Sequence, residues 1–216
     1  MEIIPAILAK DFLEVQQKIK QVEPFCAWAQ IDVVDGIFAS NKTWDNPAEL
    51  SNVTTSLNLE VHLMVSDLAS EVDKWTKSQV KRIFFHFEKS ANEGILNNLK
   101  EVEILLEKVH KSGKEVGIAL NPATDWKEIV NLLPKLDAVL FLSVNPGFYG
   151  SPFLPEVIHK AQEFHLSYLY VIIAIDGGIN NETIHLAKDA GINRACVGSF
   201  IFKSSDIEKT IADLSK

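Results

Sequence analysis

Eight short apolar runs, each followed by a stretch with helical periodicity, constrain this chain more than any other feature. The runs are "EIIPAIL" (2–8), "AWAQIDVV" (27–34), "LNLEVHLMV" (57–65), "RIFFHF" (82–87), "EVGIAL" (115–120), "AVLFLSV" (138–144), "LYVIIAI" (169–175) and "RACVG" (194–198). Their near-continuous apolar character is that of parallel strands buried on both faces. Between them, "DFLEVQQKIKQVE", "SDLASEVDKWTKSQ", "EGILNNLKEVEILLEKVHKSG", "DWKEIVNLLPK", "PEVIHKAQEFH" and "NETIHLAKDAG" repeat apolar residues at three- and four-residue steps. The segment "NKTWDNPAELSNV" predicts a short second helix, and "SSDIEKTIADLSK" an eighth. Alternating units of this kind require a parallel sheet covered by helices. An open doubly wound sheet satisfies the pattern, but eight units in 216 residues favour a closed (β/α)8 TIM barrel, one domain over residues 1–216. No glycine fingerprint follows the first strand, which disfavours dinucleotide binding.

Local signals agree with these boundaries. Asp11 with Glu14 forms a capping-box pattern, Thr124 is a candidate cap after "NPA", and Gly113 and Gly191 stand where helices should stop. A net charge of −8 argues against a nucleic-acid surface but permits a local anion site. No segment is long and apolar enough to span a bilayer, and the opening "MEIIPAILAKDF" has no basic leader. Two lone cysteines, Cys26 and Cys196, form neither a disulfide framework nor a metal-ligand spacing. A cytoplasmic setting is the expectation, with Cys196 packing as a small apolar residue.

In a barrel of this type the chemistry sits at the carboxyl ends of the strands. The polar residues there are Asp32, Asp35, His62, His86, Glu88, Asn121, Asn145 and Asp176. Strand alternation puts Gln30, Asp32 and Val34 on one face and Asp35 on the other; His62 shares a face with Met64. An ionised Asp in a barrel mouth costs several kcal/mol unless it is compensated (roughly that order), which marks Asp32 and Asp176 as functional. Asp35, pointing away from the lumen and preceding Gly36, reads as a loop anchor. His86 reads as structural, and His110, His159, His165 and His185 as surface residues on helices. Three glycine turns close consecutive strands: "NPGFYG" (145–150), "DGG" (176–178) and "VGS" (197–199). Such turns let backbone N–H groups approach an anion, and helix N-termini favour it further.

Taken together, "PAILAKDF", "IDVVDGIFASNKTW", "VHLMV", "FHFE", "GIALNPAT", "SVNPGFYGSPF", "IDGGIN" and "AGINRACVGSFIF" resemble the ribulose-phosphate 3-epimerase family over essentially the whole chain. The resemblance implies acid/base carboxylates at Asp32 and Asp176. It implies one divalent ion (Mn, Zn, Fe or Mg) held by Asp32, His62, Asp176 and the position of Gln30. Substrate and phosphate contacts fall at Ala6, Met64, Gly147, Gly150, Gly177, Gly178, Gly198 and Ser199. The implied substrate is a phosphorylated ketose, D-ribulose 5-phosphate or D-xylulose 5-phosphate. A related ketohexose 6-phosphate and a phosphosugar-binding homologue with impaired catalysis are the alternatives. The departures are Gln30 for the family's His, Ala6 for its Ser, and Val34 and Leu142 for two pocket Met residues. An amide oxygen is a weaker ligand than imidazole for zinc or iron and favours harder ions. Family members often associate, so a homo-oligomer is compatible; Trp44 and Trp126 are candidates for either a contact between copies or the core.

Overall fold

The computed structural model describes residues 1–89, 99–146 and 151–216. Eight parallel strands pair in chain order and close on themselves. They are β1 (Glu2–Ile7), β2 (Trp28–Val34), β3 (Asn58–Met64), β4 (Arg82–His86), β5 (Glu115–Leu120), β6 (Ala138–Leu142), β7 (Ile172–Asp176) and β8 (Arg194–Val197). The helices are α1 (Phe12–Val22), α2 (Leu68–Trp75), α3 (Leu99–Lys111), α4 (Glu156–Ser167), α5 (Ile184–Asp189), α6 (Ser199–Phe202) and α7 (Ile207–Ser215). The expected (β/α)8 barrel is therefore the observed fold.

Period-two alternation divides each strand between two apolar layers. Ile31, Val33, Val61, Leu63, Ile83, Phe85, Ile118 and Phe141 face outward and pack beneath the helices. Ile4, Ala6, Phe84, Ala119, Ala138, Leu140, Leu142, Ala174 and Cys196 fill the lumen. Small residues dominate this inner set because Phe84 occupies the middle. A Cβ on Gly117 would stand 2.2 Å from the Phe84 ring, so the glycine is what admits that ring.

Helix ends follow the local signals. Asp11 accepts from Glu14 N at 2.9 Å and Asp206 from Lys209 N at 2.9 Å, caps worth about 1 kcal/mol each. Gly113 and Gly191 have φ of +77° and +78°, the left-handed conformation that ends a helix.

Four expectations need correction. Residues Trp126–Lys135 form a 3-10 helix rather than an α-helix, with Pro134 inside it removing a donor. Pro47–Asn52 is likewise 3-10. The cap of the Trp126–Lys135 segment is Asp125, not Thr124; Thr124 turns its hydroxyl to Glu88 instead. The seventh strand begins at Ile172, because Val171 N closes a turn onto Tyr168 O at 3.1 Å and leaves Leu169 and Tyr170 exposed. The short helix α6 went unforeseen, since four residues carry too little periodicity to read. Both Trp44 and Trp126 are core residues.

Below the apolar lumen lies a charged floor. The carboxylate of Glu60, fully buried, accepts from Arg82 Nη1 at 2.9 Å and Arg194 Nη1 at 2.8 Å. The Trp28 ring lies within cation–π range of both guanidinium carbons, at 4.8 and 4.6 Å. Glu115 and Glu2 pair with the outer sides of Arg82 and Arg194.

Candidate active site

At the opposite end of the lumen, parallel registers set Asp32 beside His62 on β2 and β3, and Asp176 beside Cys196 on β7 and β8. Barrel closure brings these pairs together. Ligand atoms of Asp32, His62 and Asp176 all lie within 4.8 Å of one another. Asp32 and His62 are buried, while Asp176 keeps partial access to a cavity of about 610 Å³. Among the lining residues are Ala6, Met64, Leu142 and Cys196 at the base, and Gly177, Gly178, Gly198 and Ser199 on the wall.

Gln30 binds the two acids to each other. Its Nε2 donates to Asp32 Oδ1 at 2.8 Å and to Asp176 Oδ2 at 2.7 Å. Its Oε1 accepts from Cys196 Sγ at 3.2 Å. Burial, with the charge of Asp176 adding to it, pushes the Cys196 thiol well above its ordinary range, so the sulfur keeps its proton and donates. The reverse amide orientation would turn an oxygen toward two carboxylates and lose both strong bonds. Gln30 thus reaches the cluster but presents nitrogen to it. Cys196, expected only to pack, is the partner that orients this amide.

His62 stands over the same oxygens. Its Nδ1 lies 3.4 Å from Asp32 Oδ1 and 3.5 Å from Asp176 Oδ2, and this buried atom has no aligned hydrogen-bond partner. Burial disfavours the imidazolium, but the two neighbouring acids outweigh it and hold the pKa up at about 9. Asp32 is raised by its burial first and by the negative charge of Asp176 second. Two carboxylates and an imidazole nitrogen converging on one point are a donor set suited to a divalent cation. Metal–ligand bonds of about 2.0–2.2 Å at near-tetrahedral angles separate ligand atoms by about 3.4 Å, and His62 Nδ1 lies 3.4 and 3.5 Å from the two carboxylate oxygens. The Asp32–His62–Asp176 cluster is capable of coordinating a divalent metal ion.

Behind His62 the sequence expectation was incomplete. His86, read as structural, places Nε2 at 3.0 Å from His62 Nε2 and Nδ1 at 3.0 Å from Glu88 Oε2. The buried Glu88 would be raised by its burial, but bonds from His86, Thr124 and the Asn121 amide overcome this and keep it below the ordinary range. The signal for these residues was the alternation of "HFE", which puts His86 and Glu88 on the same face of their strand and its extension.

The wall glycines have geometric reasons to be glycine. Gly177 and Gly178 have φ of +111° and +66°. A Cβ on Gly177 would stand 2.4 Å from Val144 Cγ2, and one on Gly178 2.8 Å from Phe153 Cβ. Buried Ser143 fixes the turn by donating to Gly177 O at 2.6 Å, and Thr183 Oγ1 donates to Gly178 O at 2.9 Å. Gly147 and Gly150, assigned to the same phosphate site, lie outside the described residues. Of the departures noted above, Leu142 lines the cavity, whereas Val34 is buried against Phe38, Ala39 and Met64.

Asp35 is the loop anchor that its parity implied. Its Oδ1 accepts from the N–H groups of Ile37 and Phe38 at 2.8 and 2.7 Å, and its Oδ2 from Ser66 N at 2.7 Å. Burial alone would raise this carboxyl, but the bonds hold it low. Among the remaining histidines, His110, His159 and His185 are exposed, and His165 is half-buried against Gly191.

Comparison with known proteins places these features in context. The model of the ribulose-phosphate 3 epimerase family matches residues 2–202. The ribulose-phosphate 3-epimerase of Helicobacter pylori (strain J99) is 33% identical over 220 residues, covering 99% of this chain and 96% of that protein. The enzyme of the same name from Bacillus subtilis is 30% identical over 221 residues, with 99% and 98% covered. A 3-hexulose-6-phosphate synthase structure from Salmonella typhimurium superposes with a TM-score of 0.71 at 14% identity, covering 100% of this chain and 97% of that one. That last likeness is one of fold. No helix among the described residues is long and apolar enough to cross a membrane.

Proposed function

The chain belongs to the ribulose-phosphate 3-epimerase family, a family of sugar-phosphate epimerases, and from that premise we propose that it interconverts D-ribulose 5-phosphate and D-xylulose 5-phosphate. The observation that carries the reading is the pairing of Asp32 and Asp176, from β2 and β7, through the shared Gln30 amide at the base of a glycine-walled cavity. Epimerisation next to a carbonyl removes a proton from one face of a carbon and returns one to the other, which requires an acid and a base on opposite sides. Asp32 and Asp176 supply this pair, one protonated and the other ionised at any instant. In the reverse direction the roles exchange. Asp32, His62 and Asp176 would hold a divalent ion, which would supply Lewis-acid stabilisation to the negative charge that develops on the substrate oxygens. The turns at Gly177, Gly178 and Gly198, with Ser199, receive the phosphate and fix which carbon lies between the acids.

A coupled assay with D-ribulose 5-phosphate, run in turn with Mn²⁺, Zn²⁺, Fe²⁺ and Mg²⁺, tests this directly. Turnover with at least one ion is expected. Phosphosugar binding without turnover under every condition would leave only a binding barrel. Because Leu142 lines the cavity, a ketohexose 6-phosphate belongs in the same assay. A higher kcat/KM for the hexose would reassign the substrate while keeping the chemistry.

A further expectation concerns the fourth position at the cluster. Gln30→His exchanges an amide that donates to the acids for an imidazole that can ligate. Metal affinity should tighten tenfold or more, which is about 1.4 kcal/mol per factor of ten. Isothermal titration with Mn²⁺ reads this, and an unchanged Kd would mean that position 30 does not reach the ion.

A further inference from the structure

We infer that His86 and Glu88 form a positioning pair that dictates which nitrogen His62 turns toward the metal cluster. Neither is a catalytic residue, since neither lines the cavity where substrate would lie. The inference deepens the metal-site reading above and does not depend on which sugar phosphate is turned over.

The case is a direction of donation that can be followed atom by atom. Glu88 is an acceptor at both oxygens. Its Oε1 takes the Asn121 N–H at 2.9 Å and the Thr124 hydroxyl, and its Oε2 lies 3.0 Å from His86 Nδ1. His86 therefore carries its hydrogen on Nδ1. Two ring nitrogens only 3.0 Å apart must share one hydrogen between them, and His86 Nε2 is left as the lone-pair side. The hydrogen belongs to His62 Nε2. That leaves the lone pair of neutral His62 on Nδ1, the atom facing Asp32 and Asp176. The opposite tautomer would aim an N–H at the point where a cation would bind. An outer carboxylate that selects the ligating nitrogen of a histidine is a general device of metal sites; here the selection passes through a second imidazole.

Packing holds the relay in place. The His62 and His86 rings stack with centroids 5.0 Å apart, and Phe38 lies 4.6 Å from His86 on its own side. The outer end is fixed by Lys160 of α4, whose Nζ donates to the carbonyls of Asn121, Pro122 and Thr124 at 3.0, 2.9 and 3.0 Å. The loop that gives Glu88 its two other donors is thereby tied down.

The test uses Zn²⁺ binding and ¹⁵N histidine spectra of the full-length protein. In zinc-loaded wild type, His62 should coordinate through Nδ1 with its hydrogen on Nε2, and His86 should carry its hydrogen on Nδ1. In Glu88→Gln the side-chain oxygen can retain Asn121 and Thr124 while its NH2 group faces His86, which reverses each donor and places a hydrogen on His62 Nδ1. The Kd for Zn²⁺ should then weaken about 10–100-fold, with His86 carrying its hydrogen on Nε2 instead of Nδ1 in the metal-free spectrum. Thr124→Val removes a bond to Glu88 without reversing anything, and should change the Kd by less than about threefold. A merely structural role would leave the tautomers unmoved. If wild type binds Zn²⁺ and Glu88→Gln binds it equally well, the relay is wrong and the cluster stands. A wild type that binds no Zn²⁺ removes the metal assignment and the relay with it. The wild-type spectrum decides the matter even if Glu88→Gln does not fold: His62 ligating through Nε2, or His86 protonated on Nε2, overturns the inference.

Discussion

Asp176→Asn should abolish epimerisation while leaving a folded barrel, lowering kcat/KM by about a thousandfold or more. The substitution is isosteric, and its amide oxygen can still accept from Gln30 Nε2, which donates to Asp176 Oδ2 at 2.7 Å in the native chain. What it removes is the ability to take and return a proton, together with one carboxylate charge of the metal cluster. Asp32→Asn should be equally damaging, because proton transfer from opposite faces needs both partners. The two variants differ in a second measurement. With one acid intact, exchange of the substrate C3 hydrogen in D2O should persist from a single epimer, and the two variants should act on opposite epimers. Following the C3 signal by NMR distinguishes this from loss of binding. An Asp176→Asn protein within tenfold of wild type would rule out a two-carboxylate mechanism.

The largest effect on stability is expected at the other end of the lumen. Glu60→Ala leaves Arg82 and Arg194 buried around Trp28 without the carboxylate that both contact at 2.9 and 2.8 Å. Breaking a buried ion pair from one side costs about 3–5 kcal/mol; here the penalty falls on the inner guanidinium nitrogens, since Glu115 and Glu2 still pair with the outer sides. For a chain of 216 residues this is a fall in melting temperature on the order of 10 °C. Glu115→Gln touches the same Arg82 from a half-exposed position, and should cost less than about 1 kcal/mol. Thermal melts of the two variants side by side make the comparison. Equal, small shifts would mean that water reaches the floor and that Glu60 holds no special place.

Much of the site could be read along the chain because it depends on local rules. Asp35 illustrates this: its parity put it outside the lumen and Gly36 marked a turn, and the carboxylate does bind the amides of Ile37, Phe38 and Ser66. The caps at Asp11 and the stops at Gly113 and Gly191 obey similarly local chemistry. Where reading failed, a tertiary partner was decisive. Thr124 has the chemistry of a cap but found Glu88, and the apolar residues Leu169 and Tyr170 precede their strand instead of joining it. His86 was assigned a bland role because a lone histidine in a strand carries no sign of the histidine it will meet.

The order of the eight strands, the side on which Asp32 and Asp35 fall, and the presence of two acids and a histidine at strand ends were determined by sequence alone. Period-two and period-3.6 patterns are properties of neighbours along the backbone, so they survive without knowledge of the fold. Only closure of the barrel decided that Gln30 would bridge to Asp176, a residue 146 positions away, and turn its amide oxygen to Cys196. The strand stagger likewise decided that Glu60 would meet Arg82 and Arg194, and that His62 would rest on His86. Such meetings depend on register between distant segments, set when packing of the whole lumen brings the eighth strand against the first.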